Sequence, residues 1–342
     1  MQAVRLLRPG APLVNQTLND PTPAAGEVVV DISAAGICHS DAHYRAGEGR
    51  SAFPLTLGHE IAGTISDVAE DVEHLQIGDR VALHYLIACG QCQGCRRSGE
   101  QFCTTGQMIG KDRDGGFAER IVVPARNAVL VPAEVSLEQA AIMMCSTATA
   151  FHALRLSSLR QGESLAILGF GGVGVSAVQL AGTLDAGEVF VADLVREKLA
   201  LAESYGAMPI DALRSDVGEA LMRSTGGRGV DVVLELTGNA RAARSALSAL
   251  APGGRLMVVA INLRQLTLDP YVDLLSRERR IIGCSDHTRE EIVELLDLAR
   301  REEIDLSHAV TRTVPLEAQS INQVLDELES GTAHLRTVIV ND

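Results

Sequence analysis

The chain has 342 residues, 46% hydrophobic and 22% charged, which is enough to bury two cores and excludes disorder at domain scale. A formal charge of −14, spread rather than blocked into a tail, argues against nucleic acid or anionic membrane as a partner. Trp is absent and aromatic residues make up only 3%, leaving no stacking platform for bases, and no apolar run reaches the roughly 20 residues needed to cross a bilayer. With seven cysteines, an odd number, and no apolar secretory segment at the start, the expectation is a soluble cytoplasmic protein.

Residues 1–145 mix alternating apolar runs, such as Glu27 to Ile32 and Arg80 to Leu83, with turn signals at Pro23, Gly26, Gly78 and Asp79, and read as β-rich. After Leu165 short apolar strands alternate with helical patterns, the texture of a parallel sheet covered by helices. Strands are predicted at Ser164 to Leu168, Glu188 to Ala192, Val230 to Leu236, Arg255 to Ala260 and Arg280 to Gly283. Amphipathic helices near Thr288 to Arg301 and Leu316 to Gly331 precede a last strand, Arg336 to Val340, expected to return to the first domain. The predicted boundaries are therefore 1–145, a dinucleotide-binding unit over 146–287, and a returning segment over 288–342.

Cys89, Cys92, Cys95 and Cys103 follow the pattern C-x2-C-x2-C-x7-C, which gathers four thiolates in one short loop. A closed tetrahedral zinc is the reading this spacing favours; an iron–sulfur cluster, disulfides or unrelated buried thiols are the alternatives. Four sulfur ligands leave no open position on the metal, so such a site braces a lobe and takes no part in catalysis. Cys284 belongs to no cluster and is expected to be a buried core thiol.

The segment Gly169-Phe-Gly-Gly-Val-Gly174 places a G-x-G-x-x-G fingerprint after an apolar run and before a predicted helix over Val175 to Leu184. In that context Gly169 serves the tight turn, Gly171 admits the pyrophosphate and Gly174 packs helix on strand, with Gly172 and Val173 completing the loop at the helix N-terminus. Asp193 ends the next apolar run, where a carboxylate binds both ribose hydroxyls and repels a 2′-phosphate, which points to NAD. Arg196 and Lys198 lie nearby, where a cation helps accommodate a phosphate, so NADP is the lesser alternative.

Two more cysteines and a histidine stand in GICHSDAH (36–43), LGHE (57–60) and MMCSTATAFHAL (143–154). With the four-cysteine loop, the glycine fingerprint and Asp193, these motifs in this order resemble the zinc-dependent alcohol dehydrogenases of the medium-chain dehydrogenase/reductase family, across essentially the whole chain. The resemblance implies an α/β architecture: a Rossmann-type doubly wound parallel sheet beside a β-rich, GroES-like catalytic domain. It implies two zinc ions per chain. Cys38, His59 and Cys145 would hold the catalytic one with a fourth position open, Glu60 would lie behind it, and Asp41 would orient His59. Ser40 and His43 match the family's proton relay, His39 and Arg336 match pyrophosphate contacts, and Thr149 matches a nicotinamide contact.

The implied reaction is reversible hydride transfer between an alcohol and NAD. Cys145 stands where polyol enzymes of the family usually carry Glu, which favours an alcohol dehydrogenase in the narrower sense; a polyol or amino-alcohol dehydrogenase is the alternative within the family. By the same resemblance, Gly49 and Tyr85 stand in the region that Trp narrows in the yeast-type enzymes, which implies a roomier pocket for medium-sized primary or secondary alcohols, including aromatic or alicyclic ones. The implied assembly is a homo-tetramer, with a dimer as alternative. A zinc- and nucleotide-binding sensor and a zinc-finger nucleic-acid binder are the readings from other classes; the first leaves Cys38, His59 and Cys145 without a role, and the second conflicts with the charge.

Overall fold

The computed structural model describes residues 1–49, 52–97, 99–261, 265–332 and 334–341. The chain divides into two compact units, one made of 1–148 with 287–342 and the other of 149–286.

The first unit is built on a seven-stranded sheet. Its path runs Ala128–Leu130, Arg80–Leu83, Glu60–Val68, Glu27–Ile37, Arg336–Val340 and Val310–Pro315, with Arg120–Pro124 also pairing Glu27–Ile37. The 11-residue Glu27–Ile37 strand is central because its valines and alanines bury both faces, with Val28, Val30, Ala34 and Ala35 all at 0% exposure. The Arg336–Val340 strand joins it antiparallel, Val338 opposite Gly36, so the C-terminal segment completes this unit's sheet. Helix Arg289–Arg300 begins with a capping box in which the Thr288 hydroxyl accepts the Glu291 N–H and the Glu291 carboxylate accepts the Thr288 N–H.

The second unit holds a six-stranded, all-parallel sheet in the order Met208–Asp211, Val189–Asp193, Leu165–Leu168, Val230–Glu235, Leu250–Val258 and Arg280–Gly283. In sequence order that is 3-2-1-4-5-6, so the strand order reverses beside Leu165–Leu168, at whose end ligands bind in such sheets. Helix Gly172–Thr183 starts there, three residues ahead of the predicted start.

The sheet departs from the predicted strands in two places. Met208–Asp211 is a strand not among those predicted; it is short, contains Pro209 and sits at the sheet edge, where a missing N–H is tolerated. The strand expected at Arg255 begins at Leu250 and ends at Val258, running through Pro252 and Gly253, a pair that reads as a turn in sequence; Gly253 takes φ +73° and the ladder slips in register nearby.

Candidate active site and metal centres

Cys38 is the N-cap of helix His39–Ala46. Asp41, at the third helical position, folds back so that its Oδ2 accepts the Cys38 N–H at 2.8 Å. Its Oδ1 accepts the Gly58 N–H and meets His59 Nδ1, each at 3.2 Å. Asp41 is fully buried, so one carboxylate caps the helix, fixes the Gly58 turn and sets the face of the His59 ring. Gly58 makes the turn with φ +94°, and a Cβ there would strike the Phe117 ring.

His59 and Glu60 therefore enter the Glu60–Val68 strand from a fixed corner. Cys145 arrives from the other side, on a π-helical turn over Met143–Thr147, a local irregularity that re-aims a side chain. The Cys38 and Cys145 sulfurs lie 4.0 Å apart, and the ligand atoms of Cys38, His59, Glu60 and Cys145 all fall within 4.8 Å of one another. His59 Nε2 and Glu60 Oε1 are buried and have no hydrogen-bond partner among the described residues. Two sulfurs, an imidazole nitrogen left without a proton partner and a carboxylate close by form the donor set that zinc takes at an open site.

The electrostatics express the same crowding. The Cys38 thiol is pulled well below its ordinary value, chiefly by the hydrogen bond from Cys145, and Cys145 is pushed well above by that bond and by burial. Burial disfavours the charged His59 ring, yet the Asp41 carboxylate and the Cys38 sulfur hold its pKa well above the usual histidine range. Burial lifts Glu60 to about 7 against the pull of Arg336, with which it forms a short ion pair. Gly36 stands directly opposite Glu60 in the ladder, and a Cβ at Gly36 would run into the Glu60 carboxylate.

Arg336, matched by resemblance to a pyrophosphate contact, is buried at 6% exposure and engages Glu60. On helix His39–Ala46, Ser40 and His43 are half-buried and His39 is exposed. The His39 and His43 rings stack at 4.8 Å, and His43 Nδ1 meets Glu48 Oε2 at 3.1 Å. Beside the metal-ligand group, the Tyr85 ring stands edge-on to His59 at 5.3 Å and the Tyr44 ring at 6.5 Å, with Lys111 Nζ 6.0 Å from the Tyr44 centroid. Gly49 takes φ +98° next to Lys111. Gly36, Tyr44, His84, Lys111 and His287 were not among the candidate residues of the sequence. Of these only Gly36, two residues before Cys38, carried a signal, because a glycine inside an apolar strand marks a close approach.

In the four-cysteine loop the Cys92 and Cys95 sulfurs are 3.5 Å apart and those of Cys89 and Cys95 4.0 Å apart. Disulfide sulfurs would lie at about 2.05 Å, whereas sulfurs about 2.3 Å from one tetrahedral zinc would stand roughly 3.8 Å apart. All four cysteines are free, and the Cys89 N–H points at Cys103 Sγ (3.2 Å) while the Cys92 N–H points at Cys89 Sγ (3.3 Å), donors that suit thiolates. Cys284 departs from its expected buried place: it is half-buried just after the Arg280–Gly283 strand.

In the second unit Gly169 turns with φ +97° at the end of Leu165–Leu168, and a Cβ on Gly174 would strike the Gly169 carbonyl. Gly171 is the N-cap of helix Gly172–Thr183 and faces open space on its Cβ side, at a helix N-terminus whose dipole favours an anion. Asp193 ends the neighbouring strand, with Oδ2 accepting the Phe170 N–H at 2.7 Å and Oδ1 the Val195 N–H at 2.9 Å, which binds the glycine turn to the carboxylate. Lys198 is half-buried on helix Arg196–Ser204, Arg196 lies 4.0 Å from Asp211, and Thr149 is half-buried on helix Ala148–Ser157. This cradle fits a dinucleotide.

Comparison with known proteins gives the same answer from outside. Residues 24–133 match the alcohol dehydrogenase GroES-like domain and residues 172–301 match the zinc-binding dehydrogenase family. The chain belongs to the zinc-binding alcohol dehydrogenases of the medium-chain dehydrogenase/reductase family. Its two domains are accordingly GroES-like and Rossmann-type. It is 34% identical to an alcohol dehydrogenase of Geobacillus stearothermophilus over 97% of each chain. It is 31% identical to an NAD-dependent alcohol dehydrogenase of Sulfolobus acidocaldarius over 99% of each. Among solved structures, a zinc-binding dehydrogenase of Sinorhizobium meliloti bound to NADP superposes with a TM-score of 0.92 at 28% identity, covering 99% of each chain. Family membership makes a small molecule the substrate, and no helix among the described residues is long and apolar enough to cross a membrane.

Proposed function

We propose that this family member is a zinc-dependent enzyme that moves a hydride reversibly between a medium-sized primary or secondary alcohol, aromatic and alicyclic ones included, and NAD, giving an aldehyde or ketone. The observation that carries the reading is the buried His59 Nε2, without a hydrogen-bond partner among the described residues, beside two sulfurs 4.0 Å apart. When bound, zinc supplies Lewis acidity toward the substrate oxygen, and NAD supplies the hydride acceptor.

The chain's residues do the rest. Cys38, His59 and Cys145 hold the metal, Asp41 fixes the His59 tautomer, and Glu60, balanced by Arg336, sets the charge behind the three ligands. Ser40 and His43 lie on one helix after Cys38, and His43, carrying Glu48 at 3.1 Å, suits the solvent end of a proton path. Gly169 to Gly174 cradle the diphosphate, Asp193 holds the ribose, and His39, Thr149, Lys198 and Arg336 are further cofactor residues. Cys89, Cys92, Cys95 and Cys103 hold a second, closed zinc. A cytoplasmic homo-tetramer is the assembly proposed.

Turnover on a panel of ethanol, benzyl alcohol, cyclohexanol and a polyol, with NAD and NADP in parallel, tests the reading. It predicts activity on the cyclic alcohols with NAD preferred. Sharp preference for ethanol, or for the polyol, would overturn the substrate class. Activity with NADP alone would overturn the role given to Asp193.

A further inference from the structure

Glu100 sits in a 3-10 turn, Glu100–Phe102, inside the four-cysteine loop, yet its carboxylate turns inward and is only 11% exposed. There it accepts the Arg289 N–H, the first of helix Arg289–Arg300, in a short hydrogen bond. Its Oε1 lies 3.7 Å from His84 Nδ1 and its Oε2 3.6 Å from the Arg126 guanidinium. Arg126 in turn donates to the Ala88 carbonyl at 2.7 Å, next to Cys89, so Glu100 is anchored to the loop at both ends.

Beyond Glu100 the contacts continue through buried rings. His84 and His287 are buried at 1% and 0% exposure, with ring centroids 5.3 Å apart. The Tyr85 ring stands edge-on to His287 at 5.0 Å and edge-on to His59 at 5.3 Å, and Tyr85 is itself 2% exposed. A close-packed interior transmits a displacement because it has no void to absorb it. The four-cysteine loop thus reaches His59 through the contacts of Glu100, His84, His287 and Tyr85.

We propose that Glu100 is a positioning residue that carries the state of the four-cysteine loop, through His84 and Tyr85, to the orientation of the His59 ring. The proposal rests on the reading of His59 as a metal ligand. Filling the loop fixes Glu100; Glu100 fixes His84 and the start of helix Arg289–Arg300; and His84 and His287 hold the Tyr85 ring that abuts His59. Loss of the loop metal then alters the His59 site as well as lowering stability.

The test substitutes cobalt at Cys38, His59 and Cys145, keeps zinc in the four-cysteine loop, and compares the visible d–d bands of the native protein with those of Glu100→Ala and Glu100→Gln. The expected result is a displaced spectrum in Glu100→Ala with loop zinc retained, kcat/KM lower by about tenfold, roughly what one lost charged hydrogen bond is worth, and a smaller displacement in Glu100→Gln, which keeps an acceptor for the Arg289 N–H. Unchanged bands with a lowered melting temperature would make Glu100 a helix anchor only and overturn the proposal. Should Glu100→Ala fail to fold, His84→Gln in the intact loop gives the same reading, and unchanged bands there are equally decisive against it. The spectrum needs no turnover, so inactivity of the native protein on every alcohol counts against the proposed function and leaves the cobalt comparison in force.

Discussion

The Asp41 carboxylate meets Nδ1 of His59 at 3.2 Å while its other oxygen caps the helix that begins after Cys38, so one buried side chain fixes two of the three residues proposed to hold the metal. Asp41→Asn keeps the volume and removes the charge. Affinity for the metal at this site should fall about 10- to 100-fold, the usual effect of losing such a partner, read by competition with a zinc chelator. Affinity equal to that of the native protein would show that Asp41 does not act on His59.

Gly36 leaves the space that the Glu60 carboxylate fills opposite it in the ladder. Gly36→Ala should push Glu60 off Arg336 and destabilise the first unit by about 1–3 kcal/mol, the range for overpacking a tight core. Urea unfolding followed by circular dichroism reads the difference. A change below about 0.5 kcal/mol, the level of an ordinary surface substitution, would mean that the strand gives way without disturbing the ion pair.

His84 is buried, and burial pulls its pKa from 6.5 down to about 4. Because the folded state resists protonation while the unfolded state does not, stability from this group is fully present above pH 6.5 and is lost as pH falls toward 4. The loss is on the order of 3 kcal/mol at most. Denaturation midpoints of the native protein and His84→Gln, taken from pH 7.5 to 4.5, should converge as the pH drops. Parallel curves would place the His84 pKa near its ordinary value.

Asp193 accepts two backbone N–H groups from the glycine turn and its own strand end. Asp193→Ala should lower kcat/KM for NAD by about 10- to 100-fold, the value of a charged hydrogen bond or two, while lowering that for NADP less. An unchanged NAD to NADP ratio would remove Asp193 from ribose recognition.

The Rossmann half was largely legible because parallel strands buried on both faces read as apolar runs, and the fingerprint sits at the reversal of strand order. Met208–Asp211 escaped because an edge strand of four residues with a proline lacks that signal. The clustering of Cys89, Cys92, Cys95 and Cys103 was legible as well, since the four are close in sequence. Cys38, His59 and Cys145 are not: only the ladder that sets Gly36 against Glu60 and the π-helical turn at Cys145 bring them together, and without the family resemblance the sequence left their convergence open. Glu100, His84 and His287 were invisible for the same reason, being far apart in the chain and unremarkable alone.

Cys38, His59 and Cys145 are proposed to form a metal site separate from the four-cysteine loop. Zinc per chain, measured by atomic spectroscopy on the native protein and on Cys38→Ser, tests it most directly. About two are expected in the native protein and about one in the variant, with the fold kept and alcohol turnover lost. One zinc in both, with no turnover on any alcohol or carbonyl, would contradict it and bring a nucleotide-binding sensor to the front.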